Sequence, residues 1–141
     1  MSEPNLTDRG QFLAEISEAQ HRAESAFIRG EVAPRLELWS HREPVSVFAA
    51  LGPSKVGWTE LEPMFRSVAA RLSAGTDTEF EIVAFDVSGD TAWTAGFLRF
   101  RVSIDGDEPH RRTLRMTHVY RREAGQWRIV HEHSNWEPVA G

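Results

Sequence analysis

The hydrophobic pattern changes its period once along the chain, and this change restricts the possible folds more than any other feature. Residues 8–30 carry apolar side chains at helical spacing, and a short second helix is predicted from Pro34. After residue 78 the pattern changes to four β-rich runs separated by turn sequences. These runs are 78–87, 91–102, 112–122 and 126–136. Helices followed by a meander of strands predict an α+β domain, with the helices on one face of an antiparallel sheet.

Between these halves the sequence predicts a short strand and a third helix. Val45–Phe48 forms the predicted strand. Thr59 and Glu62 have the spacing of a capping box, and Gly75 is expected to end the helix that they begin. Asp8 is the predicted N-cap of the first helix.

Length and composition narrow the class of protein. A chain of 141 residues is typical of one domain, so we predict a single domain over residues 1–141 with a flexible N-terminus at 1–7. The lack of cysteine excludes disulfide frameworks, thiolate metal sites and cysteine nucleophiles. The first residues lack a signal-peptide pattern, and no apolar run is long enough for a membrane span. A cytoplasmic protein that does not act at a membrane is therefore predicted.

The charge distribution does not indicate nucleic-acid binding. The net charge is −5, and the arginines of the last strands have no aromatic platforms between them. We expect these arginines on a solvated surface or at the rim of a dimer. They are Arg111, Arg112, Arg121, Arg122 and Arg128.

The turn between the last two strands decides which of their side chains share a face. A two-residue type I′ turn at Ala124-Gly125 would give Ala124 a positive φ, which alanine disfavours. A three-residue loop over 123–125 needs a positive φ only at Gly125, and we favour it for that reason. With the shorter turn, His131 would pair with His118 instead.

The favoured loop pairs Thr117 with His131 and Arg115 with His133. One predicted face then contains Arg115, Thr117, Val119, Trp127, Ile129, His131 and His133. The opposite face contains Leu114, Met116, His118, Tyr120, Arg128, Val130 and Glu132. On this second face the apolar and aromatic side chains of Met116, His118, Tyr120 and Val130 are ringed by charge, which predicts a homodimer interface.

The same hairpin carries a family resemblance. The segment THVYRREAGQWRIVHEHS at 117–134 resembles the closing hairpin of SnoaL-like and DUF4440-like proteins of the nuclear transport factor 2-like (ketosteroid isomerase-like) superfamily. The association domain of calmodulin-dependent kinase II is similar in the same stretch. Leu38-Trp39-Ser40 and Gly57-Trp58 also fit the first half of the family, so the resemblance covers about residues 8–137.

This resemblance implies a cone-shaped domain, with the N-terminal helices packed on the concave face of a bent antiparallel sheet and enclosing a pocket. Homodimers through the outer sheet face are common in the superfamily. Its members include isomerases, cyclases, dehydratases, hydrolases and non-catalytic assembly domains, so fold is a poor guide to function. The ketosteroid isomerases use an Asp base on the first strand. Val45–Phe48 has no carboxylate, so we do not expect that activity.

His131 and His133 are the leading candidates for chemistry. Residues two apart on a strand share a face, with Cα atoms about 6.6–6.8 Å apart. The two imidazoles, Thr117 and the Arg115 guanidinium are predicted to converge on a carbonyl-bearing or anionic ligand, and either histidine is a candidate general acid–base. The alternative is that both histidines make only structural hydrogen bonds.

Four further residues are predicted to bind the ligand, each with a simpler alternative. Trp39 and His41 lie where the resemblance implies the pocket mouth, although a solvated loop histidine is the commoner case. Trp58 is expected to stack on a ligand or to belong to the core. Arg99 lies among aromatic residues and either points into the pocket or reaches solvent at the edge.

Three hypotheses for function follow. The first is a homodimer that binds a small organic ligand, with an anion as one option, between sheet and helices. The second is an acid–base enzyme that uses His131 or His133 with Arg115, and the third is an assembly domain. A metal site would require His41, His118 or Glu132 to join the two histidines, so no metal and no cofactor are predicted.

Overall fold

Three helices precede most of a six-stranded sheet in the computed structural model, which describes residues 6–138, with side chains from residue 8 onward. The predicted α+β fold is confirmed. The predicted flexible N-terminus lies outside the described residues except for residues 6 and 7, which are helical. The elements are α1 (Leu6–Phe27), α2 (Ala33–Leu38), β1 (Ser46–Phe48), β2 (Lys55–Val56), α3 (Trp58–Ala69), β3 (Leu72–Ser88), β4 (Thr91–Ile104), β5 (His110–Glu123) and β6 (Gln126–Trp136).

The strands form one curved sheet in the order β2-β1-β6-β5-β4-β3. All neighbouring strands are antiparallel except β1 and β6, which are parallel. Bulges in β3 and β6 bend the sheet, because each extra residue increases the local twist. At one bulge a Cβ on Gly96 would come within 1.9 Å of the Glu81 carbonyl oxygen, so only glycine fits there.

The helices cover the concave face and bury one apolar core. Phe12 of α1 makes edge contacts with Tyr120 and Trp127, with ring centroids 5.2 and 5.1 Å apart. Phe65 of α3 packs on Trp39 at 5.0 Å. Each large apolar side chain buried in this way contributes about 1.5–3 kcal/mol. None of the described helices is long and apolar enough to cross a bilayer.

The ends of the helices differ from the predicted ones. Helix α1 already begins at residue 6, so Asp8 lies in its first turn instead of at the N-cap. Helix α3 begins at Trp58, whose backbone N–H donates to the Glu43 carboxylate at 2.8 Å, and the predicted capping box at Thr59 is wrong. The same helix ends at residue 69, before Gly75. Gly75 lies in β3 at a close approach, where a Cβ would be 2.5 Å from the Ile28 carbonyl oxygen.

The predicted three-residue loop of the last hairpin is wrong. Glu123 pairs with Gln126, so the turn contains only Ala124 and Gly125, which adopt φ values of 49° and 78°. This is the positive-φ geometry of a type I′ turn. Farther along, the register shifts at a bulge in β6, where Tyr120 pairs with residue 129 and Val119 with residue 131. Val130 is therefore the extra residue of the bulge.

Candidate functional site

The short turn and the bulge each shift the pairing of the hairpin by one residue from the predicted register, and every one-residue shift exchanges the two faces. The shorter turn brings Trp127 and Ile129 to the same face as Tyr120, and the bulge then restores the predicted parity for residues 131–135. His131 and His133 therefore do share a face with Thr117 and Arg115, although Thr117 pairs with His133 and not with His131 as predicted.

That shared face is the outer, convex face of the sheet and not the wall of the enclosed pocket. Arg115, Thr117 and His133 are exposed, and Arg115 Nε donates to Asn135 Oδ1 at 2.8 Å. The three line a shallow surface depression of about 340 Å³. The prediction that they face the helices is wrong, because the inner face is the one that carries Tyr120, Ile129 and the core. Their role in ligand binding stays a prediction for this outer depression.

His131 has its own partners at the edge of this surface. Its Nδ1 lies 2.8 Å from Ser46 Oγ on the neighbouring strand β1. The Phe48 ring makes edge contacts with His131 and His133, with centroids 5.0 and 5.6 Å apart. Partial burial, with the nearby His133 adding to it, lowers the pKa of His131.

Three of the four residues predicted to form a dimer patch are inside the molecule, and the fourth, Val130, is half-buried. Met116, His118 and Tyr120 are at most 3% exposed and face the helices. The prediction of an outer patch at these residues is wrong, because the sheet uses this face for its core and leaves the other to solvent. His118 thereby enters a buried cluster of polar side chains that we call the interior polar cluster. Its members are Gln20, Glu24, Arg35, Thr94, His118, Tyr120, Glu132 and Ser134.

Arg35 of α2 joins the helices to the sheet at the centre of this cluster. Its Nη2 donates to Glu24 Oε1 on α1 at 2.7 Å, and its Nη1 donates to Glu132 Oε1 on β6 at 3.5 Å. The guanidinium carbon lies 3.8 Å from the ring centroid of Phe27. All three charged side chains are at most 6% exposed. Removing both carboxylates would therefore leave the buried charge of Arg35 without a partner.

A chain of hydrogen bonds extends from Glu132 across the inner face. His118 Nε2 lies 2.9 Å from Glu132 Oε1 and donates to it, because a carboxylate only accepts. The Gln20 amide nitrogen lies 3.0–3.2 Å from both ring nitrogens and is assigned as the donor to Nδ1. The Tyr120 hydroxyl donates to Gln20 Oε1 and lies 3.1 Å from Thr94 Oγ1. This chain of hydrogen bonds fixes the orientation of the His118 ring inside the protein.

The two carboxylates on Arg35 differ in their acidity. Burial raises the pKa of Glu24 and outweighs the opposing effect of the Arg35 charge. Burial also acts to raise the pKa of Glu132, but hydrogen bonds from His118 and Ser134 and the charge of Arg35 overcome it and lower the pKa to about 2. The cluster thus contains one carboxyl group, Glu132, that loses its proton at a lower pH than usual and a second, Glu24, that keeps its proton to a higher pH than usual.

This cluster forms the polar part of a cavity between the sheet and the helices. Glu24, Arg35, Glu132 and Ser134 are its polar lining, and the other 13 of its 17 lining residues are apolar. The volume open to the centre of a water molecule is about 50 Å³, and the whole empty space, mouth included, is about 550 Å³. The loop at Ala49–Leu51 lines the cavity and is half-buried, so it borders the mouth.

The other predicted ligand residues lie outside this cavity. Trp39 is 1% exposed and packs in the core. His41 and Trp58 stack on each other with centroids 4.0 Å apart, and His41 Nε2 hydrogen-bonds the Leu36 carbonyl oxygen at 2.7 Å. Arg99 lies on the interior strand β4 and pairs with Glu81 of the neighbouring edge strand β3 at 2.8 Å. Among the described residues, no group of acidic or histidine side chains is arranged to hold a metal ion.

Two comparisons identify relatives of this fold. A family model described as a SnoaL-like domain matches residues 16–136. A proposed dehydratase of the NTF2-like family from Streptomyces avermitilis is 18% identical, with a TM-score of 0.71 over 93% of this chain and 99% of that one. A ketosteroid isomerase-like protein from Erwinia carotovora atroseptica is 19% identical, with a TM-score of 0.71 over 89% and 97%.

A third similar structure is a proposed calcium/calmodulin-dependent protein kinase type II association domain from Thiobacillus denitrificans. It is 20% identical, with a TM-score of 0.68 over 85% of this chain and 93% of that one. No curated protein matches the chain at a significant level. At these identities the likeness establishes the shared fold and leaves the activity open.

Proposed function

The chain belongs to the SnoaL-like domain family, and from this premise we propose that it binds a small organic molecule in the cavity between the sheet and the helices. The interior polar cluster is the observation that carries the proposal. Binding sites for small molecules are mostly apolar, with a few polar groups that fix orientation. The cavity has this composition, since Glu24, Arg35, Glu132 and Ser134 project from an apolar wall.

A thermal-shift screen of small organic compounds tests this proposal and locates the site. A ligand at 100 times its Kd stabilises the folded state by about 2.7 kcal/mol, which raises Tm by roughly 5–10 °C for a chain of this size. Ala50→Trp fills the mouth of the cavity, whereas His133→Ala removes a side chain of the outer depression. We expect the Tm shift to disappear in Ala50→Trp and to persist in His133→Ala.

The reverse result would favour the outer depression. A Tm shift that persists in Ala50→Trp and disappears in His133→Ala would place the ligand beside Arg115 and Thr117. Arg115 uses its Nε for Asn135 and offers its remaining N–H groups to an anionic ligand. That version of the function would retain His131 or His133 as the acid–base group.

General acid–base catalysis is the second candidate function, and the opposite pKa shifts of Glu24 and Glu132 favour it. Glu24 lines the cavity and keeps its proton to a higher pH than an ordinary glutamate, whereas Glu132 loses its proton at a lower pH, so Glu24 is the candidate general acid of the pair. Each compound that binds in the screen is then assayed for conversion. For a compound that is converted, Glu24→Gln is expected to lower kcat at least 100-fold with little change in binding. An unchanged kcat in this variant would contradict the role of Glu24.

We also propose a cytoplasmic homodimer that associates through the outer face of the sheet. The apolar side chains exposed on this face support it, in particular Phe48 and Trp93. The assembly-domain hypothesis depends on the same surface and differs only in leaving the cavity without a ligand. The ligand screen and a measurement of the oligomeric state together separate these possibilities.

A further inference from the structure

We infer that the ligand of the interior cavity is an uncharged molecule with an apolar body and one hydrogen-bond acceptor, which receives the Nε–H of Arg35. This inference rests on the proposed binding function and specifies the chemical class of the ligand. It differs from the anionic ligand that an arginine in a pocket usually indicates. Three features of the cavity wall support it: the charges around Arg35, its one unused donor, and the apolar lining.

The positive charge of Arg35 is already balanced inside the protein. Glu24 lies 2.7 Å from Nη2 and Glu132 lies 3.5 Å from Nη1. An anion that entered the cavity could reach only the Nε–H of Arg35, and it would lie beside two carboxyl groups that already pair with this guanidinium. The anion would lose its hydration, and the positive charge that it met would already be paired with carboxyl groups. The cavity wall therefore disfavours an anionic ligand.

One donor on Arg35 remains unused. Of its three guanidinium nitrogens, only Nε is buried without a hydrogen-bond partner among the described residues. The face of the guanidinium lies against the Phe27 ring, with a centroid distance of 3.8 Å, and the Phe65 ring is 5.2 Å away. A buried N–H without an acceptor is destabilising, so a carbonyl, ether or hydroxyl oxygen at this position would be favoured.

The carboxyl groups do not provide a free site for a cation either. Both oxygens of Glu132 have donors, because His118 and Arg35 contact Oε1 and Ser134 donates to Oε2 at 3.2 Å. Glu24 is already paired with Arg35, whose Nη2 donates to Glu24 Oε1 at 2.7 Å. Since 13 of the 17 lining residues are apolar, a cation would lose its hydration without an available anion. An uncharged molecule avoids both costs.

Three compounds of nearly the same shape test the inference at pH 7. Benzamide is uncharged, benzoate is an anion and benzamidine is a cation. Their binding to the full chain is followed by chemical-shift titration of the ¹⁵N-labelled protein, with Ala50→Trp to block the cavity mouth. Ala14→Trp places the same side chain on an exposed position of α1 that lines none of the described pockets, and it is the matched control.

We expect benzamide to bind at least tenfold more tightly than benzoate or benzamidine, with binding lost in Ala50→Trp and retained in Ala14→Trp. Arg35→Lys keeps the charge and removes Nε–H, so it should reduce benzamide affinity while a cooperative unfolding transition is retained. If benzoate or benzamidine binds the cavity as tightly as benzamide, the inference is overturned and the proposed binding function stands. If none of the three compounds gives shifts that Ala50→Trp abolishes, both are overturned.

Discussion

At the scale of single residues, Arg35 pairs with two carboxyl groups, Glu24 and Glu132, whose pKa values are shifted in opposite directions. The structure gives a simple reason for the difference. Glu132 accepts hydrogen bonds from His118 and Ser134 in addition to Arg35, whereas Arg35 is the polar partner found for Glu24. Burial is the largest single effect on the pKa of both groups, and it prevails at Glu24, whereas at Glu132 the hydrogen bonds and the charge of Arg35 together outweigh it.

Replacing each of these carboxylates by its amide should have unequal effects on stability. Glu132→Gln removes the anion that three donors share, and we expect it to lower the free energy of unfolding at pH 7 by about 3 kcal/mol. Glu24→Gln replaces a carboxyl group that is already biased toward its neutral form, and we expect a loss of about 1 kcal/mol or less. Urea denaturation of both variants measures the difference.

The pH dependence of stability checks the same assignment. Because the folded-state pKa of Glu132 is depressed, its contribution is present above the unfolded pKa of about 4.3 and is lost as the pH falls toward about 2. Glu24 behaves oppositely, since its raised pKa makes stability decline as the pH rises above 4.3 toward the folded value. Wild type should lose more stability than Glu132→Gln between pH 5 and pH 2. An equal loss in both proteins would contradict the depressed pKa.

At the scale of secondary structure, α1 shows what the sequence reveals about the site. Phe12, Ile16, Gln20 and Glu24 follow one another at intervals of four, so two polar side chains continue the apolar stripe of the helix. This break in the stripe is the signal for the interior polar cluster. The partners of Gln20 and Glu24 come from α2, β5 and β6, and no local pattern predicts such long-range contacts.

In the last hairpin, the two strands are easier to predict than the face to which each side chain points. Its two strands and their position in the sequence are predictable from alternation and the turn residues. The choice of turn is not, because the sheet accepts Ala124 at φ 49° despite its intrinsic preference. The bulge at Val130 leaves no signal in the sequence, since valine is an ordinary strand residue.

The strained turn leads to a stability prediction. Asn tolerates positive φ better than Ala, and Asn-Gly is a preferred type I′ pair, so Ala124→Asn should raise the free energy of unfolding by about 1 kcal/mol. Ala70→Asn is the matched control, because Ala70 is also exposed but has φ −64°. Chemical denaturation should show stabilisation only at position 124. Destabilisation by Ala124→Asn would mean that the turn does not adopt the type I′ geometry.

At the scale of the whole molecule, the sheet has two faces with different roles. Its concave face is covered by helices and contains the core and the cavity. Its convex face exposes Trp93 at 43%, Phe48 at 41% and Val83 at 61% of their surfaces. Exposed apolar side chains that cluster on one surface are typical of contacts with another protein. The resemblance implies dimers through the outer face, whereas Met116, His118 and Tyr120, which the predicted pairing placed on that face, are buried against the helices.

Trp93→Glu should therefore convert the proposed dimer to a monomer. A charge at this position would be buried without a partner if the face is the dimer interface, and it would weaken the dimer by several kcal/mol. Sedimentation at micromolar concentration measures the effect, and circular dichroism melting checks that the variant remains folded. Ala33→Glu adds the same charge at an exposed position of α2 and should leave the oligomeric state unchanged.

The outcome also bears on the outer depression, because Arg115, Thr117 and His133 lie within the same convex face. A dimer that buries Trp93 and Phe48 would restrict access to that depression, so dimerisation and ligand binding in the depression would compete. If wild type is a monomer at micromolar concentration, the dimer proposal fails and the depression is open to ligands. If wild type is a dimer and Trp93→Glu separates it, ligand binding that is sensitive to His133→Ala should increase in the variant. Binding through the interior cavity should then be the same in both proteins, since the helices cover that cavity on the opposite side of the sheet.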